Sequence, residues 1–462
     1  MATALEKVKA EPATARLDLK ETEAGSVFVS NYPPYSFWSN DKVGDALRVL
    51  NSLPAQAGEP LAGPPAGRAG NTLGLYLHIP FCRKRCKFCY FKVYTDKNSS
   101  QIEGYVDALA KEVELYSRLS AVKGRKLKFV YFGGGTPSYV SVSHLKKLVK
   151  RVKAAIPWEG AEEVTFECEP GTLSQSKLEA IRNTGVTRLS LGVENFNDFI
   201  LEENGRAHLS KEIFEVMPWI NDLKFDQLNI DLIAGMVGET WETWRDNVKQ
   251  TIDLDPDSVT IYQMELPYNT VYTQLLSDGK IDIPVANWQA KREWHDYAFN
   301  ELAAAGYEIS SAYTMVKSKS HGRFVYRDSV WRGTDMLGTG VAAFGHMSGV
   351  HIQNTPSWDD YLTMIGSGRL PVSRAFVTTP AERVTREMIL QLKLGGIRPP
   401  YFKEKFDVDI LQKFSGAFEK LKDEGMLTYS PEQVQLTRAG FLRVDQLLPE
   451  FYQEKYRNAR YT

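Results

Sequence analysis

The sequence predicts an α/β protein: an open, partial parallel β/α barrel of about six strands, followed by a smaller winged-helix-like α+β cap. Three observations carry this. From about residue 73, short apolar runs alternate with amphipathic stretches of helical period, which implies parallel strands joined by right-handed crossovers. Six such runs are too few to close an eight-stranded barrel. Finally, residues 380–462 read as helices followed by a hairpin.

Residues 1–25 are rich in Ala, Glu and Lys without an apolar period, and read as a flexible tail. Residues 26–70 divide in two. Val27, Phe28, Val29, Tyr32, Tyr35, Phe37 and Trp38 are too aromatic for a free linker, whereas PAQAGEPLAGPPAGRAG (54–70) can bury little and reads as a connector. The barrel is expected over 71–305. Its strands are LGLYLHI (73–79), LKFVYF (127–132), EVTFEC (163–168), TRLSLGV (187–193), FDQLNIDLI (225–233) and DSVTIYQ (257–263). Helices are expected at 101–119, 141–155, 174–184, 209–220 and 239–254, with a long one at 286–305. In the first, Ile102, Tyr105, Val106, Leu109, Val113 and Tyr116 recur at helical spacing. Residues 306–379 mix strand and turn signals, including LGTGVAAFGHMSG (337–349), and read as an extension of the barrel. In the last unit, Thr385 to Leu394 and Asp409 to Glu424 are expected helices and MLTYSPEQVQLT (426–437) a hairpin. Its many acids make it a packing unit and not a nucleic-acid reader.

Composition narrows the function. The 462 residues are 43% apolar and 24% charged, with 56 Lys and Arg against 57 Asp and Glu. A net charge of −1 argues against a polyanion as main partner. No apolar run reaches the roughly 18 residues of a membrane span, and the first residues lack a secretory pattern. A cytoplasmic protein acting on a small molecule is the expectation. Of four cysteines, Cys82, Cys86 and Cys89 fall within eight residues. Such clustering reads as a metal site in a reducing compartment, not a disulfide framework.

The spacing is Cys-x3-Cys-x2-Cys on a loop directly after the first strand. Three thiolates can hold three corners of a cubane and leave the fourth iron open. Structural zinc normally takes four protein ligands, and neither His78 nor Cys168 is an obvious fourth. Cys168 reads as a buried strand residue. Three incidental buried cysteines, or a three-thiolate catalytic zinc, are the competing readings.

The motif, with Phe88 before its last cysteine, resembles that of the radical SAM superfamily. Tyr76 to Cys82, Phe132-Gly133-Gly134-Gly135-Thr136-Pro137-Ser138, Glu167-Cys168-Glu169-Pro170, Leu189 to Glu194, Gly205-Arg206 and Asn229 to Ile233 resemble its HemN-like (oxygen-independent coproporphyrinogen III oxidase-like) branch, as does the C-terminal unit. The resemblance implies a 4Fe–4S cluster on Cys82, Cys86 and Cys89. It further implies reductive cleavage of S-adenosylmethionine (SAM) to a 5′-deoxyadenosyl radical, and an electron donor such as flavodoxin or ferredoxin. By the same resemblance Tyr76 touches the sulfonium, Phe88 lies near the adenine, and Gly133, Gly134, Gly135 and Thr136 meet the amino group. Glu167, Asp231 and Glu194 contact SAM polar groups, Arg206 its carboxylate, and Met264 and Phe344 line a second SAM. Tyr76, Glu194 and Arg206 are the expected catalytic set. Arg83, Lys84, Arg85 and Lys87 read either as a docking face for an acidic donor or as a solvated loop.

The porphyrinogen-oxidising members continue Cys-x-Cys after the third ligand and carry Gln where this chain has Glu194. Here Cys89 is followed by Tyr90-Phe91. These departures direct the expectation towards the methyl-transferring relatives: methyl or methylene transfer from a second SAM to an sp² carbon, by C-methylation or cyclopropanation. Oxidative decarboxylation of coproporphyrinogen III is the first alternative and a HemW-like haem chaperone the second.

Overall fold

The computed structural model describes residues 30–52, 72–267, 269–278, 285–317, 322–457 and 459. The expected tail 1–25, the connector 54–70, and Val27, Phe28 and Val29 lie outside the described residues.

All six expected strands form: β1 (Thr72–Ile79), β2 (Lys126–Gly134), β3 (Glu163–Cys168), β4 (Arg188–Glu194), β5 (Gln227–Ala234) and β6 (Ser258–Gln263). They pair in chain order, all parallel. The crossover helices start where side-chain acceptors cap them. Asn98 and Gln101 form a capping box for Ser99–Tyr116. Ser141 caps Val142–Ala155, Ser174 caps Gln175–Asn183, Thr240 caps Trp241–Asp253 and Asn287 caps Trp288–Ala304.

The sheet is wider than the expected six strands. Beyond β6 lie β7 (Glu308–Ser311) and β8 (Thr314–Val316). Beyond β1 lie β9 (Met336–Thr339), parallel to it, and the antiparallel β10 (Phe344–Met347), β11 (Val350–Asn354) and β12 (Val372–Val377). The result is one twelve-stranded sheet that does not close. Strands of three to five residues such as β7 to β11 are too short for a two-residue period to register in sequence.

Period two divides the parallel core into two faces. Leu73, Leu75, Leu77, Val130, Phe132, Val164, Phe166, Leu189, Leu191, Ile230, Leu232, Val259 and Ile261 are buried in the apolar core. Each such side chain contributes about 1.5–3 kcal/mol of burial. The alternate residues, among them Tyr76, Tyr131, Glu163, Thr165, Glu167, Arg188, Ser190, Asn229, Asp231, Thr260 and Tyr262, make the inner face polar. Its floor is closed by Phe324 and Tyr326. The Arg188 guanidinium lies 3.9 Å over the Phe324 ring, and the Tyr326 ring lies 4.4 Å from that of Tyr131. The Val325 and Tyr326 N–H groups donate to Glu163, at 2.8 and 3.1 Å.

The described part of the aromatic N-terminal segment packs along the β12 edge. Ser39 bridges to Ala375, Trp38 stacks on His351 at 4.7 Å, and Tyr32 lies 5.0 Å from Tyr452. In the C-terminal unit, Pro380–Leu392 precedes β13 (Gly396–Ile397) and Pro399–Phe406 follows it, and β13 forms a three-stranded sheet with β14 (Leu427–Tyr429) and β15 (Val434–Leu436). The helix expected over 409–424 is broken into Ile410–Lys413 and Ser415–Asp423 at Phe414, whose backbone (φ −116, ψ 27) leaves the helical region. Among the described residues no helix is long and apolar enough to cross a membrane.

Candidate active site

Where β1 ends at Ile79, the chain turns through a loop that carries all three clustered cysteines. Backbone bonds fix it. Tyr94 N–H donates to the Pro80 carbonyl at 2.7 Å, Cys82 N–H to Tyr94 at 3.1 Å, and Lys87 N–H to Asn204 at 3.0 Å. From the β2 end, Gly135 and Thr136 N–H donate to Ile79 and Phe81, each at 2.8 Å.

Burial pushes the Cys82 thiol up to about 11 and the Cys89 thiol up to about 12. Bare thiolates are therefore disfavoured there, and a cluster would have to supply the compensating charge. Two donors already point at sulfur: the Thr136 hydroxyl at Cys82 and an Arg206 guanidinium N–H at Cys86, both at 3.4 Å. Donors to sulfur are what ligating thiolates require around them. Among the described residues no three His, Cys, Asp or Glu side chains converge on a single ion. A cubane, with one thiolate on each of three irons, asks for a wider set. The donor set fits a cluster.

Arg206 joins this loop to the carboxylates of the inner face. Its Nη2 donates to the Gly192 carbonyl at 2.8 Å and lies 3.5 Å from Glu194 Oε1. Its buried Nε has no hydrogen-bond partner. Glu194 ends β4 at φ 64. Burial pushes its carboxyl up to about 7; Arg206 opposes the rise, and Asp231 and Glu167 add to it. Burial likewise pushes Glu167 up to about 7, although it accepts from the Tyr131 hydroxyl at 2.6 Å and from Gly134 N–H at 3.1 Å. Burial raises Asp231 too, and its partners are the Ser190 hydroxyl at 2.7 Å and the Asn229 amide at 3.0 Å. Tyr76 stacks on Tyr131 at 5.6 Å. Three carboxyls and one guanidinium thus share a small volume beside the thiols.

The glycine run after β2 has a packing reason. Gly134 has φ +115, and a Cβ there would fall 2.6 Å from the His78 ring. A Cβ on Gly135 would fall 2.9 Å from the Pro80 backbone. The cysteine loop lies directly on these glycines, and side chains would push it away.

The structure therefore gathers Tyr76, Glu167, Glu194, Arg206 and Asp231 around Cys82, Cys86 and Cys89, with Gly133, Gly134, Gly135 and Thr136 supporting the loop. Phe88 and Met264 meet beside them, in a small cluster with Ile200, Ile233, Met236, Val237 and Tyr272. Phe344 does not join. It lies on β10, with its ring 5.5 Å from Trp38, and the strands from β9 to β5 separate it from the β6 end that carries Met264. Phe344 belongs to the edge packed by the N-terminal segment, where its ring also lies 6.5 Å from that of Tyr35.

Sequence reasoning missed the clamp that holds the loop. Glu169 accepts two bonds from Arg83, at 2.9 and 3.2 Å, and lies 3.1 Å from His208 Nδ1. His208 Nε2 faces the Val193 carbonyl at 3.2 Å. Lys87 pairs with Glu203 at 3.1 Å, and Arg85 donates to the Cys89 carbonyl at 3.2 Å. Three of the four basic loop side chains thus hold the loop itself. The signal available was Glu169 inside the quoted motif and His208 two residues after Arg206.

Residues 76–250 match the Radical SAM superfamily and residues 378–443 match the HemN C-terminal domain. This chain belongs to the radical SAM superfamily, with the HemN-like domain arrangement. Membership brings a 4Fe–4S cluster and SAM as cofactors. The radical SAM chain is 28% identical over 384 residues to "Heme chaperone HemW" of Bacillus subtilis (strain 168), an alignment covering 82% of this chain and 99% of that protein. It is 24% identical over 388 residues to "Oxygen-independent coproporphyrinogen III oxidase" of Escherichia coli (strain K12), covering 80% and 83%. The solved Escherichia coli coproporphyrinogen III oxidase (HemN) shares the fold, with a TM-score of 0.77 at 23% identity over 92% of this chain and 96% of that one.

These relatives correct the expectation of C-methylation or cyclopropanation: they are haem chaperones and coproporphyrinogen oxidases. That expectation rested on Tyr90-Phe91 and Glu194, and on a second SAM at Met264 and Phe344. Two local departures weigh less than similarity along four-fifths of the chain.

Proposed function

We propose that this chain is a radical SAM enzyme that oxidises a porphyrinogen, removing propionate carboxyls in the manner named for the coproporphyrinogen oxidases: the propionate side chain loses one hydrogen atom to SAM, and the electron left when carbon dioxide departs passes to a one-electron acceptor. The observation that carries the reading is the convergence of Arg206, Glu194, Glu167 and Asp231 beside three thiols. Buried charges are costly unless paired, and their clustering in one place marks a site that binds a charged ligand.

Cys82, Cys86 and Cys89 would hold the cluster, with Thr136 and Arg206 easing the charge on two sulfurs. When bound, the cluster supplies the electron that breaks a sulfonium carbon–sulfur bond, which gives hydrogen abstraction from an unactivated carbon. The partnerless Nε of Arg206 is placed to take a carboxylate of SAM, a task suited to a rigid guanidinium. Glu194, Glu167 and Asp231 offer acceptors to an ammonium or to ribose hydroxyls. An ammonium among them returns the three carboxyls to their ionised forms by charge attraction. Phe324 and Tyr326 close the floor and keep water from the reacting carbon. Lys84, exposed beside the tied Arg83, Arg85 and Lys87, is the loop cation left to meet an acidic one-electron donor of the flavodoxin or ferredoxin kind.

The second reading is a haem chaperone, favoured by the 28% identity to HemW over 384 residues. Anaerobic reconstituted protein, reduced and given SAM and coproporphyrinogen III, separates the two. Oxidation predicts 5′-deoxyadenosine together with carbon dioxide from the substrate. A chaperone predicts stable haem binding without loss of SAM, and that result would reject the enzyme reading.

A further inference from the structure

Tyr131 lies on the inner face of β2, across from Tyr76 on β1 and next to the strand that carries Glu167. Its hydroxyl donates to Glu167 Oε1 at 2.6 Å, and Gly134 N–H donates to Oε2 at 3.1 Å. A length of about 2.5–2.7 Å is that of a charge-assisted bond between a hydroxyl and a carboxylate. The remaining groups that face this carboxyl act on it by charge. Asp231 raises it and Arg188 lowers it. Glu194 and the phenols of Tyr76, Tyr262 and Tyr326 face it as well.

Three rings fix the Tyr131 ring. Tyr76 lies parallel to it, at 5.6 Å and an interplanar angle of 10°. From the floor, Tyr326 lies 4.4 Å away and Phe324 6.3 Å away. The floor is itself tied down, by Glu163 through the Val325 and Tyr326 N–H groups and by Arg188 over the Phe324 ring. A Cβ on Gly133 would fall 2.7 Å from the Tyr131 ring, 2.9 Å from the Tyr76 hydroxyl and 3.1 Å from Glu167 Oε2. The three side chains therefore converge on one stretch of bare backbone. A ring held in this way keeps its hydroxyl oxygen in one place, and the bond from it fixes the carboxylate.

We propose that Tyr131 is a positioning residue for SAM: its hydroxyl, braced by the floor, holds the Glu167 carboxylate in place as an acceptor for the SAM ammonium. The assignment rests on the reading above in which Glu167 meets SAM, and it adds the residue that prepares Glu167 for that task. Without the hydroxyl the buried carboxyl takes up a proton more readily, and a neutral acid does not attract an ammonium.

SAM is the probe, in equilibrium dialysis against the anaerobic, reconstituted protein at pH 6.5 and pH 8.5. Y131F keeps the ring and its packing and removes only the donor. Burial already holds Glu167 at about 7, and loss of the donor lifts it further. Relative to the native protein, Y131F should raise the Kd for SAM about fivefold at pH 6.5 but less than about twofold at pH 8.5, where the carboxyl is ionised in both. The ratio cancels the titration of SAM itself. E167Q should weaken SAM about tenfold at pH 8.5. Y131F added to E167Q should then change nothing at either pH, because the two residues act as one unit. If E167Q weakens SAM while Y131F binds it as the native protein does, or weakens it equally at both pH values, Tyr131 does not act through the carboxylate and the proposal fails, while the reading of Glu167 stands. If E167Q binds SAM with native affinity, both fall.

Discussion

Replacing Glu169 with Gln tests the clamp that fixes the cysteine loop. Burial alone would raise this carboxyl, but the His208 and Arg83 donors outweigh it and hold the group at about 2, against an ordinary 4.5. One pKa unit corresponds to about 1.4 kcal/mol, so the carboxylate form contributes about 3 kcal/mol. Arg83 is a third exposed, which screens part of this and leaves about 2–3 kcal/mol. A depressed folded-state value means that the contribution is complete above the unfolded value near 4.5 and fades as pH falls towards 2. Gln stands in for the protonated acid. In anaerobic urea unfolding, E169Q is therefore less stable than the native chain by about 2–3 kcal/mol at pH 7 and at pH 5.5, and the gap narrows at pH 3. An unchanged gap at pH 3, or none at pH 7, would refute the clamp.

Glu112, fully buried on the Ser99–Tyr116 helix, gives the opposite pH dependence. Burial lifts it to about 7 despite donors from Tyr361, Gly340 and Asn354. With the folded value raised, its contribution is complete below 4.5 and lost as pH rises through 7. The native melting temperature should thus fall between pH 5 and 8 more than that of E112Q, and parallel curves would contradict this. G134A sets a Cβ against His78 in a backbone region that favours glycine. It should cost about 1–3 kcal/mol and reduce iron per chain, and full iron with native stability would refute the packing argument. R206Q should keep the absorbance at about 400 nm while weakening SAM at least tenfold, read by equilibrium dialysis. Native SAM affinity would remove Arg206 from the site.

The parallel core was legible because each strand pairs an apolar outer row with a polar inner one over six to nine residues. The thiol loop was legible from spacing alone. Asp231 was legible as an anomaly, a carboxylate inside an apolar run, and Ser190 and Asn229 resolve it. Other features were not. Glu169, Arg83 and His208 come from three separate segments, and nothing local encodes their meeting. The short strands β7 to β10 carry too few residues for a period, and so the place of Phe344, set by the N-terminal segment, was unreadable. The reaction was misjudged because Tyr90 and Glu194 were weighed singly, whereas substrate choice is a property of a whole cavity wall.

The most direct test is the electron paramagnetic resonance spectrum of the reduced, reconstituted protein with and without SAM. Three thiolates leave one iron open, so SAM should shift the 4Fe–4S signal, and 5′-deoxyadenosine should then appear. A signal indifferent to SAM, or one zinc per chain in place of the cluster, would contradict the account.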